Sequence, residues 1–445
     1  MNLLNTLTYN VCEHNIVYIN DAIIDRNPTP FWHSVWRRVR RAWKMNVLLY
    51  RFKQYRHPFY NQCGALKSVV FVPLTDNNRR ALEPIWNNLT DGTYTIIPPS
   101  QREYIPIQMV YYYSLVYIWP LLRCYLKANK QERLIIRSNF DEFFETIGYV
   151  RVIEKLLKNS NVKLIAVAND HCSMPRAFVK VAKEYGIKSL YVQHCSVTET
   201  FPALPFNYSF LDGEESYLKY ISAGTPRGTI YLAGNPRFDV CVKFRKRNNF
   251  KTERIGIALN KMDKESKIKE LCEQLLALGY NEITIRPHPG ESFNPQWYLK
   301  RDIEYSDSNV ENPFAFVSRT NLVIAGECGI HLDAAMLDVK SICYNMLDES
   351  YKIVDWYSYV KNGLTPYAAN LEELVTLLSD IKEGKQQNKA RWYNAAYGTQ
   401  HEGHIGEMLA DFIRYEQAGD IDEFDKKYGF VEKVIDETIV KVYGD

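Results

Sequence analysis

From Val150 onward, short apolar runs and helix-length segments take turns along the chain, and this alternation limits the fold more than any other feature. The runs at 162–167, 189–193, 208–211 and 229–232 are rich in β-branched and aromatic residues and read as strands. Segments 151–157, 176–185 and 214–221 read as the helices around them. A polar, basic break follows at 240–252 (VCVKFRKRNNFKT), and then the alternation resumes. It predicts strands at 254–259, 282–286, 322–325 and 341–344, with helices at 265–278 and 330–337. Strands that alternate with helices form a parallel sheet covered on both faces. The chain is therefore expected to be an α/β protein of two doubly wound, Rossmann-like domains facing a cleft. The expected division is 1–245, 246–420 and a helical C-terminal tail at 421–445. Within the first 150 residues, 68–74 and 94–99 carry strand patterns.

Composition narrows the class. The 445 residues, 46% hydrophobic and 24% charged, can bury a core without disulfides or a metal. A net charge of +3 argues against a nucleic-acid partner. The nine cysteines form no CxxC pair and the nine histidines no HExxH, so reduced thiols and no transition-metal site are expected. No basic stretch followed by an apolar run opens the chain, which predicts a cytoplasmic location. The longest apolar stretch, 105–122, contains Pro106, Gln108 and Pro120 and is read as a buried helical segment rather than a membrane span.

Open α/β sheets bind ligands outside the carboxyl ends of their strands. The residues that follow each strand are therefore the candidates. Asn169, Asp170 and His171 follow the strand at 162–167, and His194, Cys195 and Ser196 follow the next. Gly234, Asn235, Pro236 and Arg237 follow the run at 229–232. Asp170 suits a helix cap as well as a base, and His194 a satisfied core histidine as well as a catalytic one. In the second half, Arg286 ends a strand and His288 stands between Pro287 and Pro289, a backbone-restricted setting that suits an anion. Gly326, Glu327, Cys328 and Gly329 form a turn into the helix that carries His331. Such a turn either presents backbone N–H groups to an anion or is a plain β–α connection.

Four segments then occur in a telling order: 181–194 (VAKEYGIKSLYVQH), 233–239 (AGNPRFD), 285–290 (IRPHPG) and 324–335 (IAGECGIHLDAA). Together they resemble GT-B enzymes of bacterial capsule and lipopolysaccharide synthesis. The nearest groups are the CDP-glycerol glycerophosphotransferase-like proteins and the CMP-sugar transferases with a His-Pro motif, which include sialyl- and Kdo-transferases. The resemblance covers about 162–345. It implies a GT-B fold, a nucleotide-activated donor with CMP- or CDP-linked donors favoured, and a glycan or lipid-linked glycan acceptor. It implies neither a metal nor a cofactor. It sets His194 near the acceptor as a base and His288 on the donor phosphate. Asn235, Arg237, Arg286, Pro289, Glu327, Cys328, Gly329 and His331 complete the expected donor side. The families carry glycine where this chain has Cys195, and a Ser-Ser or Asp-Ser pair where it has Glu327-Cys328-Gly329. A glutamate suits ribose hydroxyls better than phosphate.

The chemistry expected is displacement at an activated carbon or phosphorus with a nucleotide as leaving group. Asp170 or His194 takes the acceptor proton, with Glu214 or Glu215 next in line. Arg286, His288 and the turn after Glu327 stabilise the leaving phosphate. The rivals are a UDP-N-acetylglucosamine 2-epimerase-like enzyme and a non-catalytic glycan-assembly protein of the same fold. A separate feature lies near the start. Trp32, Val35, Trp36, Val39 and Trp43 line one helical face beside Arg37, Arg38, Arg40 and Arg41. Residues 37–56 hold eight Lys/Arg and no acid. That helix suits either packing on the N-terminal domain or a peripheral contact with an anionic membrane.

Overall fold

The computed structural model describes residues 35–37, 39–40, 43–44, 66–98, 104–138, 140–169, 171–199, 201–245, 253–290, 292–347, 350–382 and 388–444. Asp170, Arg38 and Arg41 lie outside them. Six strands build the first parallel sheet: β1 (Val69–Val72), β2 (Tyr94–Ile96), β3 (Leu164–Val167), β4 (Lys188–Val192), β5 (Tyr208–Leu211) and β6 (Thr229–Leu232). Their spatial order is β2-β1-β3-β4-β5-β6. The second sheet holds β7 (Arg254–Ala258), β8 (Glu282–Arg286), β9 (Glu304–Tyr305), β10 (Leu322–Ala325), β11 (Lys340–Tyr344) and β12 (Tyr367–Ala368). All its pairings are parallel, in the order β9-β8-β7-β10-β11-β12. Numbered within that unit the order is 3-2-1-4-5-6, the arrangement of dinucleotide-binding sheets, with its topological switch point between β7 and β10. Every residue of β1, β3 and β10 is buried, as strands covered on both faces must be.

Ten helices matter below: α1 (Asp76–Trp86), α2 (Ile107–Val116), α3 (Trp119–Lys127), α4 (Lys130–Ser138), α5 (Phe140–Leu157), α6 (Ser173–Glu184), α7 (Glu214–Ala223), α8 (Ile330–Met336), α9 (Ile405–Ala418) and α10 (Ile421–Tyr428). One face of the first sheet packs on α2, α5 and α6, the other on α1, α9 and α10. The switch point of this sheet, between β1 and β3, is tied down by a fully buried Asn78. Its Oδ1 accepts from the backbone N–H of Thr75 at 3.1 Å and its Nδ2 donates to the Ala168 carbonyl at 3.1 Å.

The tail departs from the expected division. It is helical through Tyr428 and then forms a hairpin of β13 (Phe430–Ile435) and β14 (Thr438–Tyr443). β14 pairs parallel to β6, so the tail does not stand apart but extends the first sheet. Helix α9 likewise belongs to the first unit: Phe412 packs edge-on against Tyr208, Phe210 and Tyr231. Asp239, just after β6, accepts the N–H groups of Ile405 and Gly406 at 3.0 and 2.7 Å and fixes where α9 begins. Phe412 of α9 thus meets Tyr208, Phe210 and Tyr231 from far upstream in the chain, which local pattern does not reveal.

Two further expectations need correction. The segment 105–122 is two helices, α2 and α3, and exposes one side of each rather than being buried throughout. Cys124 stands in a disulfide, whereas Cys172, Cys195, Cys241, Cys272, Cys328 and Cys343 are free thiols. Pairing requires Cα atoms roughly 4.4–6.8 Å apart in space, which sequence spacing cannot show.

Candidate functional site

The carboxyl ends of the two sheets face each other and touch. Arg237, in the short turn after β6, meets Asp333 of α8 across the interface at 3.5 Å. The Ser196 hydroxyl, beyond β4, shares a hydrogen bond with the Tyr359 hydroxyl of the second unit. Lys219 of α7 donates to the carbonyls of Val197 and Tyr357, both at 2.9 Å, and pairs with Glu215. Glu215 is thus engaged with its neighbour, and burial raises its pKa.

On the first unit, a buried polar network links the ends of β4, β5 and β6. Gln193 receives the Asp212 N–H on its Oε1 at 3.0 Å and donates through Nε2 to the Ser216 hydroxyl at 2.9 Å. Asn235 donates to the Gln193 carbonyl at 2.6 Å and to Asp212 Oδ1 at 2.9 Å. Burial pushes Asp212 up to about 7, although the Arg237 charge and the Asn235 hydrogen bond pull the other way. His194 is nearly buried beside this network; its Nε2 lies 3.3 Å from Cys195 Sγ and its ring 6.0 Å from that of His171. Asn169 closes the end of β3 by accepting the N–H groups of His171 and Cys172 at 3.1 and 2.7 Å.

On the second unit the expected donor residues divide by environment. Arg286 is buried and committed to its own unit: Nη1 donates to Ser306 at 2.9 Å and Nη2 to the Glu311 carbonyl at 2.8 Å. Glu327 is committed as well. It accepts from the Tyr351 hydroxyl and from the N–H groups of Val354 and Trp356 at 3.1 and 3.2 Å, so its carboxylate organises the strand-following segment of its own chain rather than facing outward. His331 is fully buried, with Nε2 2.9 Å from the Gly326 carbonyl; burial lowers its pKa to about 4, which keeps the ring neutral and makes that contact a donated hydrogen bond. Cys328 is pushed up to about 12 by burial and stays a thiol. Pro289 and Gly290 are exposed, and Gly290 takes a φ of +88° that lets the chain turn away after the histidine.

Several buried polar atoms in these surroundings lack a hydrogen-bond partner among the described residues. They are His288 Nδ1, His331 Nδ1 and Arg237 Nε; Asp333 Oδ1 has none either but is ion-paired with Arg237 at 3.5 Å. Buried polar atoms are nearly always satisfied, so each of these has capacity for a further partner. Burial raises the pKa of Asp333, while the charges of Arg237, Arg80 and Arg286 pull it down, so arginines of both units act on it. Asp212, Asp333 and Arg80 escaped the sequence reading. Asp212 could have been found, because it directly follows the strand 208–211, and Asp333 because it lies within the motif 324–335; Arg80 lies on a helix and shows no local signal.

No protein-family model matches the chain, and no curated protein does. Among solved structures it is similar to the wall teichoic acid polymerase TagF, with a TM-score of 0.50 at 11% identity over 87% of this chain and 98% of that one. The fold is GT-B. Lower-scoring similarities include the UDP-GlcNAc 2-epimerase of Methanocaldococcus jannaschii (TM-score 0.49, 16% identity, 78% of this chain and 99% of that one). They also include MurG of Acinetobacter baumannii (TM-score 0.46, 11% identity, 78% and 99%). No helix among the described residues is long and apolar enough to cross a membrane.

Proposed function

We propose that this GT-B protein is a metal-independent transferase. It moves a sugar, or a polyol phosphate, from a nucleotide-activated donor onto a growing bacterial capsule or lipopolysaccharide glycan. CMP- and CDP-linked donors are favoured through the motif resemblance. The observation that carries the reading is the unused capacity of His288 Nδ1 and Arg237 Nε at the facing carboxyl ends of the two sheets. Arg237 Nε is a donor suited to an anion, and His288 Nδ1 is one when it carries the proton. The acceptor hydroxyl attacks the activated carbon or phosphorus, and the bond to the nucleotide phosphate breaks. The acceptor proton passes to His194 or Asp170. The charge left on the departing nucleotide is met by His288 and Arg237. Arg286 and Glu327 act one layer back, by shaping the walls. A lipid-linked acceptor would set this reaction in the cytoplasm at the inner face of the membrane.

A thermal-shift panel of CMP, CDP, UMP, UDP and GDP tests the donor side, because a ligand that binds only the folded state raises the melting temperature. A cytidine nucleotide should give the largest rise, and His288→Ala should abolish it. If no nucleotide shifts the wild type, the reading fails. A nucleotide that binds, with no donor consumed in the presence of any acceptor, would leave a binding protein of the same fold.

A further inference from the structure

Helices α2, α3 and α4 turn one side onto α5 and leave the other uncovered by any of the described residues. The packed side is rigid. At Gly148 of α5 an added Cβ would stand 2.0 Å from the Val110 carbonyl, so α2 approaches as closely as two backbones can. The uncovered side is apolar. Tyr112 and Val116 of α2, Trp119, Leu122 and Leu126 of α3, and Leu134 of α4 are between 41% and 68% exposed. Trp119, Leu122 and Leu126 recur at three- and four-residue steps, so they form one stripe along α3. Folded proteins seldom leave such a run of large apolar side chains in water without a use for it.

Charge says what covers it. Residues 107–138 carry Arg123, Lys127, Lys130, Arg133 and Arg137 against the single acid Glu132. Lys127, Lys130, Arg133 and Arg137 are exposed beside the apolar stripe. The basic segment near the start of the chain joins the same region: Arg37 pairs with Asp141, in the first turn of α5, at 2.7 Å. In that segment Trp36, Val39 and Trp43 are exposed rather than packed into the core. The ten residues of α2 span about 15 Å, half the hydrocarbon thickness of a bilayer, so these helices can lie in the headgroup layer but cannot cross it.

We propose that the face made by Tyr112, Val116, Trp119, Leu122, Leu126 and Leu134, with its basic rim, docks this protein on the surface of an anionic lipid bilayer. Aromatic rings and leucines enter the headgroup boundary while lysines and arginines meet lipid phosphates. None of these residues belongs to the cleft between the sheets, so vesicle binding and nucleotide binding succeed or fail separately.

The test is flotation of the full chain with vesicles of phosphatidylglycerol mixed with phosphatidylcholine, and with phosphatidylcholine alone. Wild type should float with the anionic vesicles, far less with the neutral ones, and release at high salt. Lys127→Gln/Lys130→Gln/Arg137→Gln should weaken binding on the order of 100-fold. Trp119→Ser/Leu122→Ser/Leu126→Ser should weaken it about tenfold or more. Melting curves show whether the variants fold; should the apolar triple variant fail, the charge variant decides alone, since its side chains are exposed. Absence of wild-type binding, or equal binding by the folded variants, overturns the proposal. So does a wild-type dimer in sedimentation that the apolar variant dissolves, because a second copy would then be what covers the face.

Discussion

His288 and Arg286 stand two residues apart at the end of β8 and have opposite surroundings. The arginine is buried with its donors taken by Ser306 and Glu311, whereas the histidine keeps Nδ1 unpartnered. Their alanine variants should therefore separate. Arg286→Ala leaves buried acceptors unpaired and should lower unfolding free energy by about 2–4 kcal/mol in denaturant titration. His288→Ala should leave that titration unchanged and weaken nucleotide binding. Equal stability loss in both would remove the distinction. On the acceptor side, His194→Ala should reduce kcat by about 10²–10⁴-fold with nucleotide affinity kept, if His194 is the base. Near-normal turnover would shift the role to Asp170.

At the scale of elements, the C-terminal hairpin shows how weak a local signal can be. Its turn puts Asp436 and Glu437 at φ 48° and 63°, the left-handed pair that joins two-residue hairpins. Asn-Gly is the usual sequence for that geometry, and Asp-Glu announces no turn. The flanking strands alternate poorly because β13 lies at the sheet edge with four of its six residues exposed. Replacing Glu437 with glycine should relieve the strained φ and raise stability by roughly 0.5–1 kcal/mol in a denaturant midpoint measurement. A loss of stability would mean that the turn is held by something other than its backbone preference. The segment after β11 behaves differently: Glu327 gathers Tyr351, Val354 and Trp356 by side-chain and backbone donors. Glu327→Gln keeps the size but loses charge-assisted acceptance, and protection from hydrogen exchange at Val354 and Trp356 should fall first.

For the whole molecule, the buried network at the end of the first sheet couples to the second through Arg237 and Asp333. Asp212 lies inside it with its pKa raised from 3.8 to about 7, mainly by burial. A carboxyl raised on folding contributes stability that is complete below its unfolded pKa and is lost as pH rises through its folded one. Wild type should thus lose stability relative to Asp212→Asn between about pH 4 and pH 7. Melting temperatures of the two across that range should diverge; parallel curves would show that Asp212 ionises as an ordinary surface acid.

Much of this molecule follows from sequence alone. Two doubly wound units, the strands from 162 to 344 other than the two-residue β9, and the polar residues at their carboxyl ends are legible, because burial on both faces makes a parallel strand a continuous apolar run and because the ligand side of such a sheet is set by strand direction. The GT-B reading through ordered motifs agrees with the fold. Only the tertiary structure decided which of those residues have capacity to spare. Arg286 and Glu327 look like ligand groups in sequence, yet their partners, such as Ser306 and Trp356, lie 20 and 29 residues away and are found by packing. It also decided that α9 and the final hairpin complete the first sheet, and that 105–122 has an outer face. Both depend on contacts between residues far apart in the chain, and hydrophobic periodicity says which side of a helix is apolar without saying whether anything covers it.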